Sequence, residues 1–239
     1  ETCFGIAYAS SPGNANVLEA LEFIAIERGD EVLRRHWLEA RMTVNPDSPE
    51  LLRAHAHLLA KMGDMEAERD VLRLEALGLD TPADRSLLSG LRARAGSRSE
   101  ALEAIEEAIA EDPTQAADWL SYANLLYEEG ESSKALDAAD KCLEIDRQCG
   151  GAWALTATIL APKQNRLKEA LKAAIHAVAL DSGGVDLVLL KADLLLADGQ
   201  VTAAEESLVK SLEKDTMNGE LRARIATRYL LDGRPEDAQ

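Results

Sequence analysis

Cysteine is scarce in this sequence. Cys3, Cys142 and Cys149 make an odd count with no CxxC spacing. A Cys142–Cys149 bridge needs Cys149 to fold back, so the thiols read as reduced, which favours a reducing compartment. Aromatic residues are only 4% of the chain, whereas Ala and Leu abound, a balance that suits closely packed helices. Basic residues are outnumbered 26 to 43, giving a formal net charge of −17. That deficit argues against nucleic acid, whose phosphates are gripped by Lys and Arg clusters, and against an anionic membrane surface. Where charge selects a partner, the partner is basic; the same charge also serves solubility.

No run of 18 apolar residues is present. The richest stretch, Leu187 to Ala197, contains Lys191 and Asp193, so no direct membrane insertion is expected from this segment. The chain begins at Glu1 without a basic-then-apolar leader, and cytoplasm and bacterial periplasm both stay open. There is no G-x-S-x-G, H-E-x-x-H, Walker A loop or G-x-G-x-x-G. His36, His55, His57 and His176 form no chelating pair by spacing: His55 and His57 are two apart on a helix and point away from each other. No catalytic, cofactor or metal residue is assigned, and the chain reads as a non-enzyme. Trp37, Trp119 and Trp153 read as core.

What is present is a period. Trp119, Tyr122, Ala123 and Leu126 fall at i, i+3, i+4 and i+7, one face of a helix. Gly130 breaks the run, and a second helical pattern follows through Ala135, Ala139, Cys142 and Leu143. Small residues and a glycine turn let two antiparallel helices approach closely. The segment Ala116 to Arg147 resembles a tetratricopeptide repeat, W-x2-L-G-x2-Y, then A-x3-F, then P in about 34 residues. Trp119, Ala123, Gly130 and Ala135 match it; Tyr122 and Leu126 are conservative departures.

The residues closing each second helix form a ladder: Pro12, Pro46, Asp80, Pro113, Arg147, Ser182 and Thr216, separated by 34, 34, 33, 34, 35 and 34. Residues 1–14 read as the end of a second helix. Full repeats follow at 15–48, 49–81, 82–115, 116–149, 150–184 and 185–218, and residues 219–239 begin a seventh. The fifth has Pro162-Lys163-Gln164-Asn165 in place of the turn glycine, which should lengthen its loop. Both ends fall inside a repeat without a visible polar cap, so the chain reads as a piece of a longer solenoid. With no Pro/Gly/Ser-rich linker, a single array is the economical reading.

The resemblance implies an all-α, right-handed superhelical solenoid of antiparallel helix hairpins, whose first helices line a concave, partner-binding face. Places beside the packing positions give Glu19, Phe23 and Ile26, then Glu50, Arg53 and His57, then Ser86. They continue as Asn124 and Tyr127, Thr158, Asp186 and Asp193, and Glu220 and Thr227. The carboxylate-gripping set of chaperone adaptors is incomplete here: Asn124 and Arg53 are two repeats apart and no lysine joins them. An apolar or basic protein segment therefore suits the groove better than an acidic tail.

Arg85 and Arg92 stand seven apart on one helix face, at places where Trp119 and Leu126 pack in the next repeat. They meet an acidic loop or partner carboxylate, or lay their stems over apolar surface. The function expected is a non-catalytic scaffold that assembles or docks another protein on its concave face. A second reading comes from bacterial exopolysaccharide export proteins, whose long periplasmic tetratricopeptide stretches dock modifying enzymes. An acidic array there would guide a cationic polysaccharide.

Overall fold

The computed structural model describes residues 8–180, 184–214 and 218–231, and no strand occurs among them. The chain divides into two compact units, 1–113 and 114–239.

The first unit opens with a short helical end, residues 8–10, and continues as three hairpins. These are α1 (Ala15–Glu27) with α2 (Glu31–Val44), α3 (Pro49–Met62) with α4 (Ala67–Ala76), and α5 (Pro82–Ala95) with α6 (Arg98–Glu111). The second unit comprises α7 (Ala116–Glu128) with α8 (Ser132–Ile145), and α9 (Gly150–Leu160) with α10 (Leu167–Ala179). It continues through α11 (Gly184–Ala197) with α12 (Val201–Lys214), then α13 (Gly219–Leu231). Within each unit consecutive helices pack on one another in chain order, so each second helix touches both its own partner and the next hairpin. First helices of consecutive hairpins also touch, α3 with α5 and α7 with α9. Each unit is thus an all-α stack of helix hairpins, the architecture of a solenoid.

Local chemistry sets where these helices start and stop. Asn14 and Asp30 accept from the first free N–H groups of α1 and α2. Thr81 and Asp84 form a reciprocal capping box on α5, with Pro82 at its first position. Gly63 and Gly96 end α3 and α5 at φ 81° and 83°, a left-handed conformation that side-chain-bearing residues resist. In the fifth repeat the expected loop is a 3-10 helix, Gln164–Arg166. Gly151 has a different role: a Cβ there would lie 2.9 Å from Leu120 Cδ2, so glycine lets α9 come close to α7.

The core follows the repeat pattern. Leu18, Leu21 and Ala25 are buried on α1, and Leu52, Ala56 and Leu59 on α3. Ala101, Ile105 and Ala108 are buried on α6, and Ala123, Ala135, Ala139 and Cys142 in the α7–α8 hairpin. Alanine at the crossing points keeps the helices close, and leucine fills the gaps between them. Leu38 is buried on α2, as its place there requires, but Trp37 is only half-buried. Trp119 and Trp153 are half-buried too, which corrects the expectation that the indoles are core. Their rings sit at hairpin edges: Trp37 meets Tyr8 edge-on at 5.0 Å, and Trp153 stacks on His176 at 4.8 Å. Trp153 also donates its indole N–H to the Arg147 carbonyl at 3.0 Å. Ser182, Thr216, Gly233 and Cys3 lie outside the described residues.

Candidate functional site

The first helices carry the places where a binding groove is expected. On α1, Glu19, Phe23 and Ile26 form one stripe, with Phe23 60% and Ile26 45% exposed. The opposite stripe of α1 is consumed by packing, and it includes a buried acid. Glu22 receives a charge-assisted hydrogen bond from Arg41 and lies 3.6 Å from Arg34 Nε. Arg34 and Arg41 thus compensate Glu22.

The neighbouring helices are less open. Glu50 on α3 is exposed and accepts from the Ser48 hydroxyl at 2.8 Å, which holds its pKa below the ordinary carboxylate value. Arg53 does not project as a free donor. Its Nε donates to Asp84 at 2.9 Å and its fork also reaches the Leu79 carbonyl, clasping α3 to the start of α5. His57 is exposed, and the half-buried Ser86 donates its hydroxyl back to Pro82 at 3.0 Å.

In the second unit, Asn124 is exposed and Tyr127 is 38% exposed on α7. Thr158 on α9 and Thr227 on α13 are exposed, and each hydroxyl donates to a carbonyl one turn back. Asp186 is exposed on α11, while Asp193 accepts from Arg224 of α13. The side chain of Glu220 lies outside the described residues.

Arg85 and Arg92 do share one face of α5, and both guanidinium groups find carboxylates within the chain. Arg85 pairs with Asp80 at 2.8 Å and with Glu111; the hydrogen bond to Glu111 raises its pKa above the ordinary guanidinium value. Arg92 pairs with Glu68 at 3.2 Å and lies 3.6 Å from Glu100. Two helices that flank α5 thereby neutralise charges that would otherwise interrupt the packing.

One buried polar pair has no signature in the histidine spacing, and it is built on His55. Its Nδ1 lies 2.6 Å from Asp70 Oδ2, both side chains almost fully enclosed, and its Nε2 lies 3.7 Å from Glu39. This contact ties α3 to α4 and to α2. The signal in the sequence is an acid on the apolar stripe of a helix, as with Asp70 beside Val71 and Glu22 beside Leu21. No group of three His, Cys, Asp or Glu side chains is arranged to hold a metal ion among the described residues. No helix among them is long and apolar enough to cross a membrane.

No protein-family model matches the chain, and no curated protein does either. Solved structures do. The type IV pilus biogenesis factor PilW is 16% identical with a TM-score of 0.72, covering 88% of this chain and 98% of its own. A tetratricopeptide repeat protein from Parabacteroides merdae is 18% identical with a TM-score of 0.69, covering 94% of this chain and 89% of its own. YrrB, described as a tetratricopeptide protein with an unusual peptide-binding site, is 14% identical with a TM-score of 0.58, covering 74% and 91%. At these identities the likeness is one of fold. The chain has the tetratricopeptide fold.

Proposed function

We propose that this tetratricopeptide-fold chain is a non-catalytic scaffold that docks a protein segment on the exposed face of its first helices. The observation that supports this most directly is the α1 stripe. Phe23 and Ile26 keep large apolar surface in water although the same helix buries a complete opposite stripe. An exposed aromatic–aliphatic pair on a rigid element is the kind of surface that anchors a partner with little ordering cost. Glu19 beside it, exposed and acidic, favours a segment that mixes apolar and basic residues. That YrrB is described as having a peptide-binding site is consistent with such a use of the fold.

The experiment is a selection of displayed peptides on the intact 239-residue chain, repeated on Phe23→Ala/Ile26→Ala. Enriched peptides should carry apolar residues interspersed with Lys or Arg. Their affinity should fall about tenfold or more in the double variant, as expected for loss of anchor side chains. Apolar–basic peptides that bind both proteins equally would remove α1 from the docking surface. Because neither side chain is in the core, the variant should fold as the parent does.

A further inference from the structure

The second unit carries a cleft walled by two of its second helices. It encloses about 470 Å³ between α10 and α12 and is floored by α11. The α10 wall presents Ile175, Val178 and Ala179, an apolar ridge at i, i+3 and i+4, with Ile175 44% exposed. The α12 wall presents Ser207, Lys210 and Ser211 at the same spacing. Val188 and Lys191 lie on the floor. One wall is therefore apolar and the other cationic and hydroxylated.

Lys191 occupies a packing place. Counted from the start of its repeat, it stands where Leu21, His55 and Leu88 stand in the first three repeats, and all three are buried. Lys191 is itself half-buried. Among the described residues neither Lys191 nor Lys210 has an ion-pair partner, and no carboxylate lines the cleft. Burial, and then repulsion from Lys210, hold the Lys191 ammonium below its ordinary pKa of 10.5. The corresponding cleft of the first unit makes the contrast. It lies between α4 and α6 and is also lined by two cations, Arg85 and Arg92, both on its floor. There Asp80, Glu68 and Glu111 answer them from within the chain. In the second unit the fold supplies no such answer.

We propose that the α10–α12 cleft docks an acidic amphipathic helix of another protein, its apolar face on Ile175 and Val178 and its carboxylates on Lys191 and Lys210. Ridges at helical spacing on both walls suit a helix laid into a groove. Two ammonium groups on different helices suit two carboxylates in succession; a fatty acid has one and leaves the other cation unanswered. The net charge of −17 opposes an acidic partner at long range. Physiological salt screens that repulsion beyond about 8 Å, whereas the cleft contacts are closer. The site is independent of the α1 face and selects the opposite charge, so one chain would bring two unlike partners together.

The test uses the intact chain and three probes, followed by fluorescence anisotropy or, for the lipid, competition. The probes are a helical peptide with leucines on one face and glutamates on the other, its lysine-for-glutamate twin, and dodecanoate. The acidic peptide should bind at least about tenfold tighter than its basic twin, and Lys191→Met/Lys210→Gln should lose that preference. The same variant should melt no lower than the parent, because it removes a half-buried cation without a counter-ion. Equal affinity for the two peptides, unchanged binding by the variant, or binding of dodecanoate alone would overturn the proposal. A folded variant is verified by its circular dichroism, so loss of binding is read against an intact array.

Discussion

At the scale of single residues, the informative side chains are charged or polar ones standing on packing faces. Glu22, Asp70 and Asp84 are buried acids, and each has a cation or a histidine against it. Lys191 has none among the described residues, and that difference singles it out. Cys142 behaves differently again. Burial, and then the neighbouring Cys149, push its thiol from an ordinary 9.0 up to about 12. At pH 8 it is protonated and enclosed, so Ellman's reagent should leave Cys142 unlabelled in the native chain and label it only in denaturant. Labelling of Cys142 at native rates would show that α8 does not seal it. The sign of the accompanying pH effect is fixed. Below pH 9 the thiol is protonated in both folded and unfolded chains; above that only the folded chain holds the proton. Stability from this group is therefore lost as pH rises towards 12, and Cys142→Ala should show a shallower alkaline decline than the parent.

At the scale of helices and hairpins, regularity and legibility go together. Turn glycines, the alanines at crossing points and the apolar stripes recur with the period, so the all-α stack of helix hairpins is legible in the sequence alone. The insertion at Pro162–Asn165 was legible for the same reason: it breaks the period, and the chain meets it with a 3-10 helix. What joins one hairpin to the next was not legible. Arg53 stands at a groove place by count, yet its long side chain reaches Asp84, 31 positions away in sequence. The reach of arginine carries no period, and neither do the pairings of Arg85 and Arg92. The Asp84 contact has a measurable consequence, since this carboxylate serves both the α5 capping box and Arg53. Asp84→Ala should lower stability by about 2 kcal/mol, the scale of a lost cap together with an unmet buried partner. Arg53→Ala added to it should cost much less than Arg53→Ala alone. Strictly additive losses in that cycle would mean that the two groups do not act on one another.

At the scale of the whole molecule, the first helices start 33 to 35 residues apart from α1 to α13, which is the repeat read from the ladder of closing residues. The division into two units after Pro113 has no counterpart in composition; it falls at a proline that closes a repeat like Pro12 and Pro46. Charge illustrates what composition cannot resolve. A net charge of −17 describes the average surface, yet a cationic cleft and an apolar, acid-flanked stripe coexist on it. Which partner meets which face is decided by local side chains that the total conceals.

The claim on which this account turns is that the exposed face of the first helices is where a protein segment docks. Hydrogen exchange, measured on the intact chain with and without an apolar–basic peptide selected on it, tests this most directly. Slowed exchange is expected along α1 around Phe23 and Ile26, with the neighbouring second helices unchanged. Protection confined to second helices, with α1 exchanging as in the free chain, would contradict it.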